Sequence, residues 1–356
     1  MAKSTTTAAP TAAKPVRILS LDGGGIRGIL AGQLLVALER ELQALSGRAS
    51  ARIADYVDLV AGTSTGGILA CALLAPDAQG RPRYSAEQVV GFYLERGDEI
   101  FSVGFWKKLS SGGGLNDEKY PAAELESALR DYFGDLRLKD LLKPCVITAY
   151  DIERRQVHLF TQHDARTDPA YDFAVRDVAR ATSAAPTYFE PPRIRSATNV
   201  RYPLIDGGLF ANNPTLVAYS EARQMDFPGR AAKPTAKDLA ILSLGTGPTG
   251  EGSRKVYDWD EAKDWGKVGW APAVIDILMT AAEDVTAFHM KMIYDTLGPG
   301  MQHRYLRLHP VLGKADEAMD NASRANLLAL KAAGEESARL HGPAIKAYAK
   351  LLVDAA

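Results

Sequence analysis

Three short segments hold residue types that could carry out acyl chemistry: Gly62-Thr63-Ser64-Thr65-Gly66, Asp22-Gly23-Gly24-Gly25-Ile26-Arg27-Gly28, and Asp206-Gly207-Gly208. A serine hydroxyl is a weak nucleophile until it is held rigidly and given a base. The G-x-S-x-G run can do the holding, because Gly62 and Gly66 permit a sharp turn that leaves the Ser64 Oγ exposed at a helix N-terminus. By itself the pattern is equally a glycine-rich turn before a buried helix.

The run Gly23–Gly28 also fits G-x-G-x-x-G, so dinucleotide binding has to be weighed. That fingerprint wants an acidic residue about 20 positions on, at the end of a second strand. Here the corresponding region, ALERELQALSGRAS, reads as helix and small-residue loop. The other use of successive glycines is a nest of backbone N–H groups facing an anion. The oxyanion formed when Ser64 attacks a carbonyl is such an anion. Arg27 adds a fixed positive charge to that loop or is a solvated residue at the helix start.

A base for Ser64 can be sought among His289, His303, His309 and His341, which all follow it in the chain. None sits in a glycine-rich turn after a strand, where a Ser–Asp–His hydrolase presents its histidine. Asp206 is the stronger partner. It ends the apolar run Tyr202–Asp206, and Gly207 and Gly208 let the chain turn away so that the carboxylate projects into a cleft.

Positioning these groups calls for a strand before each turn. Arg17–Leu21 and Val57–Ala61 read as buried strands, and Gly28–Leu45 and Ile68–Leu74 as helices. Strand, glycine turn and helix thus occur twice, which predicts an α/β fold with a largely parallel sheet. Further strands are expected at Cys145–Asp151, Gln156–Phe160 and Leu239–Leu244. Helices are expected at Ser85–Glu95, Glu124–Asp131, Val175–Ala181, Val274–Met292 and roughly Glu317–Leu352. Ser102–Pro121, with its SSGGG run, is the candidate mobile loop.

Composition narrows the class. The 356 residues carry 42 Lys plus Arg against 43 Asp plus Glu, so bulk charge gives no pull toward DNA, RNA or anionic membrane. Two cysteines, Cys71 and Cys145, are too few for a disulfide framework or a zinc site, and a reducing compartment is expected. Residues 1–14 lack an apolar run and are expected to be a disordered tail, not a secretory signal. The uncharged stretch Leu59–Pro76 approaches the roughly 18 residues of a membrane span. Its internal Gly-Thr-Ser-Thr-Gly-Gly assigns it instead to a strand, a turn and a buried helix.

The three glycine motifs, in this order and spacing, resemble those of the patatin-like phospholipase family. Ala181–Pro186 with Thr187–Pro191 is similar to the segment before that family's aspartate, and Leu242–Gly247 and Tyr305–Pro310 to its later blocks. The resemblance spans roughly residues 16–312. It implies a three-layer α/β/α patatin-like fold over 15–312; residues 313–356 lie beyond it and are expected to be a helical extension packed on that domain. It further implies a Ser64–Asp206 dyad without histidine, an oxyanion hole at Gly23, Gly24, Gly25 and Arg27, and no metal or cofactor. The substrate would be a membrane phospholipid, reached from the cytoplasm at the inner membrane. Some bacterial members are antiphage effectors switched on by cyclic di- or trinucleotides, and the size of this chain resembles theirs. A homo-oligomer stays open, as do acyl transfer and a non-enzymatic nucleotide-binding module built on GGGIRG. Phe101, Phe105 and Trp106 with Lys107 and Lys108 could form a lid or be core beside a solvated face. The Trp259, Trp265 and Trp270 cluster with Tyr257 is an interface, a lipid contact or a packed loop.

Overall fold

The structure, a computed structural model, describes residues 14–100, 123–186, 188–247 and 257–356. Nearly all of the expected tail, the Ser102–Pro121 loop and the Phe101–Lys108 group lie outside these residues. The element order is β1 (Val16–Leu21), α1 (Gly28–Ser46), β2 (Leu59–Thr63), α2 (Thr65–Leu74), α3 (Ala86–Ile100), α4 (Ala123–Phe133), β3 (Cys145–Asp151), β4 (Gln156–Thr161), α5 (Gln162–Thr167) and α6 (Val175–Thr182). Then follow β5 (Arg193–Arg195), β6 (Arg201–Asp206), α7 (Thr215–Ala222), β7 (Leu239–Leu244), α8 (Lys267–Asp295), β8 (Tyr305–Leu308), α9 (Arg324–Leu340) and α10 (Gly342–Asp354). A single helical turn, Gly208–Ala211, separates β6 from α7.

One eight-stranded sheet runs through the molecule in the order β5-β6-β3-β2-β1-β7-β8, with β4 on the other edge of β3. Strands β3, β2, β1, β7 and β8 are mutually parallel, and the antiparallel pairs are confined to β3–β4, β3–β6 and β5–β6. The central strands are buried on both faces and mostly apolar, with Arg17, Ser20 and Ser243 as the polar exceptions in β1 and β7. Alternate residues divide between the two sides: Leu19, Leu21, Val60, Ile147, Leu242 and Leu244 join one core, and Val16, Ile18, Leu59, Ala61, Val146 and Ile241 the other. The first core takes in α1, α2, α3, α4, α6, α9 and α10; the second is covered by α7 and α8. This is the three-layer α/β/α arrangement.

Several boundaries differ from the expectation: the helix expected over Val274–Met292 runs from Lys267 to Asp295, and the helical stretch expected over roughly Glu317–Leu352 begins at Arg324. That stretch is two helices, divided at His341, because Gly342 and Pro343 restart the chain as a new helix with proline in its first turn. Both contribute Leu327, Leu330, Ile345 and Leu352 to the same core as the sheet. Strand β2 begins at Leu59, later than the expected Val57, since Asp58 is taken up by Arg17, which donates to it from N–H, Nε and Nη2 at 2.8, 2.9 and 2.9 Å. The short strands β5 and β8 carry too few residues to declare themselves by alternation.

Candidate active site

The sheet brings Ser64 and Asp206 together through β3. Strand β2 pairs in parallel with the first half of β3, ending at Thr63 opposite Thr148; β6 pairs antiparallel with the second half, ending at Asp206 opposite Ala149. Because β4 occupies the other edge along 146–151, β2 and β6 share one edge and run toward each other. Their C-terminal ends meet at adjacent positions of β3, and the next residue after Thr63 is Ser64.

Ser64 has φ 54° and ψ −125°, a conformation that a side-chain-bearing residue holds only when its surroundings impose it. The imposition is visible. A Cβ on Gly62 would lie 2.4 Å from the Gly66 carbonyl oxygen, and one on Gly66 would lie 2.1 Å from that of Leu21, so any larger residue would force the turn open. The Ser64 N–H donates to Thr182 Oγ1 at 2.9 Å, and that hydroxyl donates to the Thr148 carbonyl at 2.7 Å. Thr63 Oγ1 donates to the Ala211 carbonyl at 2.6 Å and accepts from Thr148 Oγ1 at 2.7 Å. These threonines are fully buried.

Asp206 is held from the same side. Its N–H donates to the Ala184 carbonyl at 3.0 Å, so the Thr182–Ala184 turn grips both residues of the pair. Its Oδ1 accepts the Gly208 N–H at 2.7 Å, whereas Oδ2 is buried without a well-formed hydrogen bond. Burial pushes this carboxyl up to about 7, against the Ser64 hydroxyl and the Gly208 N–H, which favour its ionised form. The Ser64 contact is thus looser than a full hydrogen bond at rest, as catalytic bonds often are before substrate binds.

The glycine loop leaves β1 between them. Asp22 N–H donates to the Leu244 carbonyl and Gly23 N–H to the Asn212 carbonyl, both at 3.0 Å. Gly24 and Gly25 N–H have no acceptor among the described residues. Gly25 has φ 58°, and a Cβ there would lie 2.1 Å from the Met319 carbonyl oxygen. Of the three expected donors, Gly23 is therefore already bonded, and Gly24 and Gly25 are free. Arg27 Nε turns back onto the Gly24 carbonyl at 3.4 Å, and its Nη1 approaches Gly247, where a Cβ would lie 3.1 Å away. A Cβ on Gly28 would meet Thr65 Oγ1 and one on Gly207 would meet Thr148 Oγ1, which is why those positions carry none.

Asp22 anchors the loop through a buried cluster that the sequence did not announce. Arg307 on β8 donates from Nη1 to Asp22 Oδ1 at 2.8 Å and to Ser243 Oγ at 2.7 Å, and from Nη2 to Asp22 Oδ2 and to Glu283 at 3.0 Å. Burial pushes Asp22 up and would lower Arg307, but the bidentate contact, with Glu283 beside it, keeps the guanidinium charged. Arg307→Leu leaves Asp22 buried and uncompensated, and should cost about 3–5 kcal/mol in urea denaturation. An unchanged midpoint would show that the pair does not hold the loop.

Among the described residues none of the six histidines, all of which follow Ser64, bonds to it; His309 belongs to the Arg307 cluster, at 2.9 Å from its Nε. Among the described residues, His163, Asp164 and Glu221 form the one group of three metal-type ligands, with atoms within 4.8 Å. Two of them bond each other, His163 Nε2 and Glu221 at 2.9 Å, and Asp164 accepts from the Thr161 hydroxyl at 2.5 Å. Signals for Thr148, Thr182, Asn212 and Arg307 were faint: a threonine inside an apolar strand, or an arginine alternating with leucines.

The chain is similar to known proteins. The profile of the patatin-like phospholipase family matches residues 19–219. Patatin-like protein 1 of Arabidopsis thaliana is 35% identical over 347 residues, covering 92% of this chain and 82% of that protein. Patatin group J-1 of Solanum tuberosum is 32% identical over 357 residues, covering 95% and 89%. Among solved structures, human group IVD cytosolic phospholipase A2 in complex with methyl gamma-linolenyl fluorophosphonate overlays with a TM-score of 0.43 at 13% identity, covering 96% of this chain and 60% of that one.

Proposed function

The chain belongs to the patatin-like phospholipase family, and from that membership we propose that it is a lipid acyl hydrolase working through Ser64 and Asp206. The observation that carries this reading is the meeting of β2 and β6 on one edge of β3, which sets a strained serine against a buried carboxylate. Ser64 Oγ attacks the ester carbonyl while its proton passes to Asp206 Oδ2. The tetrahedral oxyanion is stabilised by the free Gly24 and Gly25 N–H groups, each worth on the order of 3 kcal/mol. Collapse expels the lysolipid alcohol, which takes the proton back from Asp206. Water, activated by the same carboxylate, then releases the fatty acid from the acyl-serine.

A lipid substrate fits the outer face of α8. Val274, Leu278, Val285, Phe288 and Met292 are exposed there at helical spacing, while Met279 on the inner face packs against Gly208 beside Asp206. At the start of this helix Trp265 stacks edge-on to Tyr257 and Trp270, and Trp259 is 73% exposed. Among the described residues no helix is long and apolar enough to cross a membrane. Peripheral contact with phospholipid at the inner membrane, through the outer face of α8, is part of the proposal.

The test is fatty-acid release from phospholipid vesicles, with mass mapping of a fluorophosphonate adduct. Label on Ser64 together with release supports the reading. No label and no release, with nucleotide affinity instead, would favour a binding module built on GGGIRG; transfer to an added alcohol in preference to water would favour an acyltransferase. Activation by a cyclic di- or trinucleotide is a further part of the proposal, and a flat response of the same assay to a nucleotide panel removes it. The pH profile follows from Asp206. As its carboxylate is the active form and burial sets its pKa at about 7, kcat/KM should climb tenfold per pH unit below that value and level off above it. A profile flat from pH 5 to 9 would exclude Asp206 as the base.

A further inference from the structure

The mechanism above leaves Asn212 idle, although its side chain is buried at the dyad and only 5% exposed. A Cβ on Gly23 would lie 2.3 Å from Asn212 Oδ1 and 3.3 Å from Ser64 Cβ. One on Gly208 would lie 3.1 Å from Asp206 Oδ1 and 3.3 Å from Asn212 Oδ1. The carboxamide therefore fills the gap between the glycine loop and the Asp206-Gly-Gly turn. Among the described residues its Oδ1 is buried without a hydrogen-bond partner, and its Nδ2, which is not one of the enclosed atoms, makes no hydrogen bond either. Buried amides are normally bonded; one left free beside a nucleophile is accounted for if the substrate brings the missing partner. The two ends of a carboxamide have the same shape, so either can present N–H groups to the site. The same residue also removes a donor from the loop, since its main-chain carbonyl takes the Gly23 N–H.

We propose that the Asn212 side-chain amide donates an N–H to the substrate oxyanion, as a third donor beside Gly24 and Gly25. This rests on the acyl-hydrolase reading. Asn212 would then close the oxyanion site from the side opposite the glycine loop and replace the donor lost at Gly23. The tether to Gly23 runs through main-chain atoms, so changing the side chain leaves it in place.

Asn212→Leu keeps the bulk and removes the N–H groups, and Asn212→Ala removes both. On a soluble p-nitrophenyl ester each should lower kcat about 100- to 1000-fold with little change in KM. The apparent pKa of kcat/KM should stay at the wild-type value, and the thermal midpoint of Asn212→Leu should stay near wild type. A folded Asn212→Leu or Asn212→Ala retaining more than about a third of wild-type kcat overturns the proposal. So does a displaced apparent pKa with a normal plateau rate, because Asn212 would then be orienting Asp206. Wild-type protein that hydrolyses no ester removes the acyl-hydrolase reading and this proposal with it; active wild type with unaffected variants removes this proposal alone.

Discussion

Ser64→Ala should abolish ester hydrolysis, by a factor on the order of 10⁶ if the loss matches that of other removed serine nucleophiles. The expectation is this large because the remaining donors can only polarise a carbonyl that nothing attacks. The backbone of the elbow should persist, since its supports do not involve the Ser64 hydroxyl. The Ser64 N–H is held by Thr182, and the close approach of Gly62 to Gly66 is set by main-chain atoms. Alanine keeps the strained φ of 54° and relieves nothing. Near-wild-type unfolding with no burst of product and no fluorophosphonate adduct is therefore the expected combination. Residual turnover above about a thousandth of wild type would exclude Ser64 as the nucleophile.

Asp206→Asn should be as inactive and, at neutral pH, more stable. The folded carboxyl has its pKa raised by burial from 3.8 to about 7. Between those values the folded chain keeps a proton that the unfolded chain has released, so stability falls as pH rises through the window. Above it the full cost applies, up to about 4 kcal/mol for a shift of that size. Asparagine removes the ionisation, keeps an oxygen for the Gly208 N–H, and places its Nδ2 where Oδ2 had no firm partner. The variant should gain at least a few degrees in Tm at pH 8, with the gain shrinking toward pH 4. An equal or lower Tm at pH 8 would show that the carboxylate is solvated or paired, and would undercut its role as a neutral-pH base.

The parts of the site that were legible in the sequence are those where backbone meets backbone. Gly62 and Gly66 are required because carbonyl oxygens stand 2.4 and 2.1 Å from where a Cβ would be, and such a need has few solutions in amino-acid type. The strands were legible because both faces are buried and their residues are predominantly apolar, Arg17, Ser20 and Ser243 notwithstanding. Asp206 was readable as a strand-end acid, but its convergence on Ser64 was not, because that depends on which edge of β3 receives β6. Arg307 and Asn212 stayed hidden for a related reason. Each acts across the fold, Arg307 on Asp22 and Asn212 on Gly23, and neither leaves a local trace. Of the three glycine N–H groups expected at the oxyanion hole, that of Gly23 donates instead to the Asn212 carbonyl, a contact between segments distant in the chain. At the C-terminus the Gly342-Pro343 pair marks where one helix ends and the next begins.

The head-to-head arrival of β2 and β6 on one template strand also bears on the order in which this protein comes into being. By the time residue 151 has left the ribosome, the chain holds its nucleophile, the elbow glycines, the oxyanion loop and the strand that will align them. It lacks Thr182, Ala184 and the carboxylate at 206. Any nascent or truncated chain short of β6 thus carries a serine with no base and an elbow without its amide tether. The chemistry becomes possible only after a distant segment has closed onto β3, so the proposed acyl hydrolysis is withheld until most of the sheet is in place.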